Sequence, residues 1–174
     1  MTRFIFNFIL ISCLSLRAAF AGDNDLKDFK KDQARIADAI EKVPASEMRL
    51  FLYSLDPHDA SRFGGKLPEN SAKSFHWMPI LGCVEIVPFQ EKTNLLGALA
   101  QGVRASDSIV ANCFDPRHGL RIVTKSSTND FVICFECLQV QAYGFAPSSY
   151  FLTGNSPAAT FNNLLDEYKI KKAE

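Results

Sequence analysis

Leu120-Arg-Ile-Val-Thr-Lys-Ser-Ser-Thr-Asn-Asp-Phe-Val-Ile-Cys-Phe-Glu-Cys-Leu-Gln-Val-Gln-Ala-Tyr143 decides the fold. Aliphatic and aromatic residues lie on both sides of Ser126-Ser-Thr-Asn129, a tetrad with turn chemistry. The pattern predicts a strand over 120–125 and another over 130–143. Ser108 to Phe114 predicts a third strand upstream, joined through the turn-forming Asp115-Pro-Arg-His-Gly119. Three consecutive strands with short connections make an antiparallel meander.

Working upstream, Thr93 to Ala105 reads as a helix, with Leu95, Leu96, Leu99 and Val103 on one side and Gly97 and Gly102 against it. Phe75 to Pro88 holds strand pieces, the clearest being Ile80 to Val87. Residues 56–74 carry Pro, Gly, Asn and Ser and read as a loop, and Met48 to Leu55 reads as a strand. Leu26, Phe29, Gln33, Ile36, Ala37, Ile40 and Val43 recur at helical spacing before Pro44. Downstream, Gly144 to Asn155 reads as a loop. Ser156-Pro157 opens a last helix docked by Phe161, Leu164, Leu165 and Tyr168. The simplest packing is a mostly antiparallel sheet of about five strands covered by about three helices, an α+β domain.

The chain of 174 residues begins with Arg3, an apolar run from Phe4 to Leu16, and Ala19-Phe20-Ala21. That architecture reads as a secretory signal over 1–21, leaving 22–174 as one exported domain, periplasmic or extracellular. Leu10-Ile11-Ser12-Cys13 offers a competing lipobox, which would anchor the chain through an acylated Cys13. No later segment is long and apolar enough to span a bilayer. Basic and acidic residues balance at 19 each over the whole chain. No basic stripe is present, which argues against nucleic acid as a partner. The partner is then an unknown protein or small ligand.

Three of the five cysteines and one of the three histidines fall between Cys113 and Cys137. If the meander is regular, Cys134 faces Arg121 and Cys137 faces His118 across the strands, while Cys113 lies opposite Leu120. Cys113, His118, Leu120, Phe135 and Cys137 then share one face, and Arg121, Cys134 and Glu136 the other. Cys113, His118 and Cys137 could converge as three ligands with an open position, a donor set suited to zinc or copper. The other reading makes Cys83, Cys113, Cys134 and Cys137 buried or disulfide-bonded structural residues. A Cys134–Cys137 bridge is disfavoured within a straight strand. Residues three apart lie about 10 Å apart there, and a disulfide needs alpha carbons within about 7 Å.

Arg117 and His118 are the candidate binding residues, Arg117 because it has no evident partner and guanidinium suits carboxylate or phosphate. His118 is alternatively a turn residue before a Gly119 at positive φ. Arg121 and Glu136 are the other candidates, most simply paired with each other across strands. His58, between Asp56 and Asp59, could form a metal site with them but reads more simply as a solvated loop residue, and His76-Trp77 reads as a core or edge contact. No dinucleotide or phosphate-loop glycines, no nucleophile elbow and no zincin motif occur. A non-enzymatic binding module is the leading reading. A metal- or thiol-dependent enzyme and a disulfide-stabilised structural domain are its rivals.

Cys113-Phe-Asp-Pro-Arg-His-Gly-Leu-Arg121 followed by Asp130-Phe-Val-Ile-Cys-Phe-Glu-Cys137 resembles a double signature of bacterial secreted or lipid-anchored proteins. The similarity extends through Leu52-Tyr-Ser-Leu-Asp-Pro57 and Ile80-Leu-Gly82. The resemblance implies export. It brings no activity, cofactor or catalytic residue.

Overall fold

The computed structural model describes residues 23–57 and 71–173. The signal, the Cys13 lipobox and His58 lie outside the described residues. The elements run α1 (Asp23–Glu41), β1 (Arg49–Leu55), β2 (Ser74–Phe75), β3 (Met78–Ile86) and α2 (Phe89–Ala105). β4 (His118–Val123), β5 (Thr128–Cys134), β6 (Gln139–Tyr143), β7 (Tyr150–Leu152) and α3 (Pro157–Glu167) follow. The fold is α+β. Its sheet has seven antiparallel strands in the order β2-β3-β1-β4-β5-β6-β7, two more than expected.

Strand periodicity sorts the core into two layers. Leu50, Leu52, Leu120, Ile122, Phe131, Ile133 and Val140 face the helices. There they meet Ile36 and Ile40 of α1, Leu95 and Leu99 of α2, and Phe161 and Leu165 of α3. Tyr53, Leu55 and Val132 face the other way, where Phe75 of β2 covers them. Gly102 lets α3 approach α2: a Cβ there would lie 2.4 Å from Pro157 Cγ. The glycine that weakened the helical reading is what makes the helix pack.

Three strand boundaries differ from expectation. Residues 108–114 form no strand; Ile109 and Val110 are exposed. The long strand over 130–143 is two strands, β5 and β6, with a turn over 135–138 in which Leu138 takes φ 60°. The turn carries none of the usual Gly, Pro, Asn or Asp. The segment read as a loop before α3 contains β7. The register of β4 on β5 pairs Arg121 with Asp130 and His118 with Ile133, four residues from the expected alignment. Because four is even, Arg121 still faces away from Leu120 and Phe131.

The β2–β3 hairpin folds across the face opposite the helices. Its two turn residues, His76 and Trp77, both have positive φ, at 46° and 65°, as the tightest hairpin turns require. Phe75 thereby lies over Gly119, stacked on Tyr53 at 4.4 Å. Gly119 is not at positive φ; it is needed for this close approach. A Cβ at 119 would sit 2.8 Å from the Phe75 ring and 3.2 Å from Tyr53 Cβ. Gly119→Ala is therefore expected to cost about 1–3 kcal/mol by overpacking, read as a lower urea midpoint. Adding Phe75→Leu should recover part of that loss, and strictly additive effects would refute the contact.

Candidate functional site

His118 begins β4 directly opposite Ser54 of β1, on the helix-facing side of the sheet. The register of β1 on β3 slips between Ser54 and Leu55, an irregularity of the kind that re-aims side chains. The Leu55 amide donates to the Arg117 carbonyl at 3.0 Å, holding the approach to β4. α3 closes over this end of the sheet, and the His118 Nε2 atom lies 3.0 Å from Asn162 Oδ1. The imidazole packs against Phe135 and Phe161, with ring centroids at 5.2 and 5.7 Å. The C-terminal tail completes the enclosure, Ile170 packing on Gly82.

These elements surround a pocket of about 340 Å³ lined by Ser54, Asp115, Arg117, His118, Asn155, Asn162 and Lys172, with Phe135 and Leu165 as apolar wall. Its two cationic side chains are each paired locally. Arg117 lies 3.4 Å from Glu136, and Lys172 lies 2.6 Å from Asp166. His118 is buried, which pushes its pKa down to about 4; the Asn162 contact opposes this, and Arg117 and Lys172 reinforce it. The ring is neutral at neutral pH. With Asn162 accepting through Oδ1, Nε2 carries the proton and Nδ1 is left as a lone-pair acceptor. His118 Nδ1, Ser54 Oγ and Arg117 Nε are buried and have no hydrogen-bond partner.

The cysteines are placed next to this pocket. Cys134 ends β5, and the turn brings Cys137 back so that their alpha carbons are 5.2 Å apart and the two form a disulfide. The straight-strand argument against that bridge fails because the chain reverses between them. Gln139 Nε2 donates to the Ala111 and Cys113 carbonyls at 2.7 and 3.0 Å, laying the 111–113 segment along the turn. Cys113 Sγ consequently lies 2.7 Å from Cys137 Sγ. The Asp115 amide points at Cys137 Sγ, and the Cys137 amide donates to Cys134 Sγ at 3.1 Å. Cys134 and Cys137 are buried, whereas Cys113 is exposed.

The expected constellation is thus divided. Cys113 meets Cys137, but His118 is committed to Asn162 and the aromatic rings. Among the described residues no three His, Cys, Asp or Glu side chains are grouped to hold a metal ion. Cys83 sits on β3 opposite Tyr53, with β1 and β4 between its strand and β5, out of reach of the other cysteines. Arg121 does not pair with Glu136. It makes a two-point contact with Asp130, both bonds at 2.7 Å, on the opposite face of the sheet. Glu136 pairs with Arg117 instead, so Arg117 has the partner that the sequence did not show.

Ser54, Asn155, Asn162 and Lys172 were not legible as site residues. A serine inside a strand and asparagines around a helix carry no motif. Only the register and the docking of α3 unite them. No helix among the described residues is long and apolar enough to cross a membrane. No protein-family model, no curated protein and no solved structure matches the chain.

Proposed function

We propose that this chain is an exported binding module whose pocket takes a small polar ligand. The observation that carries the reading is that three residues lining one pocket, Ser54, Arg117 and His118, each hold a buried polar atom without a partner, Oγ, Nε and Nδ1 respectively. Each unsatisfied buried polar group costs about 1–3 kcal/mol, and native proteins keep few of them. A ligand completes such a set when it offers a hydroxyl or amine donor to His118 Nδ1 and an acceptor to Arg117. The neutral imidazole, the two paired cations and the Asp115 carboxylate suit a neutral or zwitterionic molecule better than a free anion. Export rests on the Phe4–Leu16 apolar run and Ala19-Phe20-Ala21.

A purely structural role for the disulfide explains less. The bridge spans only three positions in sequence. Closing so short a loop stabilises by about 2 kcal/mol in the chain-entropy picture, less than a long-range bridge would.

Ser54→Ala tests the reading on both sides. In the free protein it removes an unsatisfied hydroxyl and is expected to raise stability by about 1 kcal/mol. Against a panel of free amino acids, short hydroxy acids and monosaccharides, calorimetry should find a compound that saturates the wild type. That compound should bind Ser54→Ala about tenfold more weakly. The reading is wrong if no member of the panel binds, or if Ser54→Ala destabilises the free protein.

A further inference from the structure

The ligand pocket makes no use of the three sulfur atoms beside it. The geometry points to a thiol–disulfide exchange site in which the exposed Cys113 thiol attacks the buried Cys134–Cys137 disulfide at Cys137. Three independent placements support it. Cys113 Sγ lies 2.7 Å from Cys137 Sγ, well inside the ordinary packing distance of two sulfur atoms. The segment carrying Cys113 is held there by both Gln139 hydrogen bonds and by the Ala111 amide on the Cys137 carbonyl. The sulfur that must leave, Cys134 Sγ, already accepts the Cys137 amide N–H, a donor that favours a thiolate.

The step conserves electrons. Cys113 loses its proton to solvent, and its thiolate forms a bond to Cys137 Sγ. The Cys134–Cys137 bond breaks with its electron pair on Cys134, which keeps the amide hydrogen bond and takes a proton from solvent. One disulfide and one thiol enter, and one of each leaves, so no oxidant or reductant is consumed. Location is what changes. Before the step both disulfide sulfurs are buried; afterwards one belongs to exposed Cys113. A small dithiol or a partner's thiol that cannot reach Cys134 or Cys137 then has a disulfide at the surface to attack. Phe135 and Glu136, in the turn between the two bridged cysteines, also line the pocket, although the exchange does not depend on ligand binding.

The test uses the full exported chain, purified without reductant and incubated at pH 8. Free thiols are trapped with N-ethylmaleimide, and cleavage after Glu136 separates Cys134 from Cys137 for peptide mass spectrometry. The wild type is expected to give two populations, one bridged Cys134–Cys137 with label on Cys113, the other bridged Cys113–Cys137 with label on Cys134. Cys134→Ser should give the Cys113–Cys137 bridge. Cys113→Ser should retain the Cys134–Cys137 bridge, and dithiothreitol should reduce it about tenfold more slowly than in wild type. Blocking Cys113 of the wild type with iodoacetamide should slow reduction in the same way, which separates the effect from any change of fold. The proposal fails if wild-type label stays on Cys113 alone and reduction is equally fast without the Cys113 thiol. It also fails if the purified protein holds all three thiols reduced around a stoichiometric metal ion. Neither failure bears on the Ser54 result.

Discussion

Asp130→Ala is expected to destabilise the protein by about 3–5 kcal/mol, the range for breaking a buried ion pair by removing one partner. Asp130 is buried on β5 and receives Arg121 Nε on one oxygen and an Arg121 terminal nitrogen on the other, both at 2.7 Å. His76 Nε2 lies 2.7 Å from the second oxygen. Burial alone would raise the Asp130 pKa, but Arg121 and His76 more than offset it and hold the carboxyl below its usual range. The network also fixes the crossing hairpin. His76 stacks on Tyr143 at 3.7 Å, and the Arg121 guanidinium lies over Phe75 at 5.2 Å. Alanine at 130 leaves the charge of Arg121 half-buried and weakens the hold on the β2–β3 hairpin. Asp130→Asn keeps the shape and loses the charge, so it should cost less than alanine. Urea unfolding of the two variants checks this order, and a loss below about 1 kcal/mol for alanine would show the network to be dispensable. The sign with pH is fixed by the lowered pKa: the contribution is present above the unfolded carboxyl value of 3.8 and disappears as pH falls through the lower folded value.

The same region shows how far the sequence could be read. Alternation along 118–143 put His118 and Leu120 on one face and Arg121 on the other, and the structure keeps that division because side-chain direction survives any even slip of register. The slip itself was invisible, since it depends on where the Ser126–Asn129 connection closes. Asp130, read as the first residue of the last strand with no partner named for it, became the partner of Arg121. The Cys134–Cys137 reversal was missed for a related reason. Phe135-Glu-Cys-Leu138 has strand-like composition, and Leu138 enters the left-handed region without a glycine. Ile109 and Val110 misled in the opposite sense: their β-branched side chains suggested a strand, while the segment is held by Gln139 and is exposed. The candidate residues Arg117 and His118 do line one pocket. Its other polar walls come from β1, α3 and the C-terminal tail, distant positions that only tertiary packing assembles.

Acidification from pH 7 to pH 4 is expected to remove about 3 kcal/mol of stability through His118 alone. Burial lowers the folded pKa of His118 to about 4, below the ordinary value of 6.5. Between those values the unfolded chain binds a proton that the folded chain does not, so stability falls as pH drops below about 6.5. The full penalty is reached near the folded pKa. The window separates this effect from Asp130, whose contribution persists until the pH falls below 3.8. His118→Gln removes the titration while leaving an amide to face Asn162. Urea unfolding at a series of pH values should show a flat profile for the variant where the wild type declines. Parallel profiles would mean that another group carries the acid response. Under the proposed binding role, the same proton would compete with a ligand. With Nε2 donating to Asn162, Nδ1 is the atom that protonates, and it is the ring nitrogen left without a partner. Binding should therefore weaken over the same interval in which the free protein loses stability.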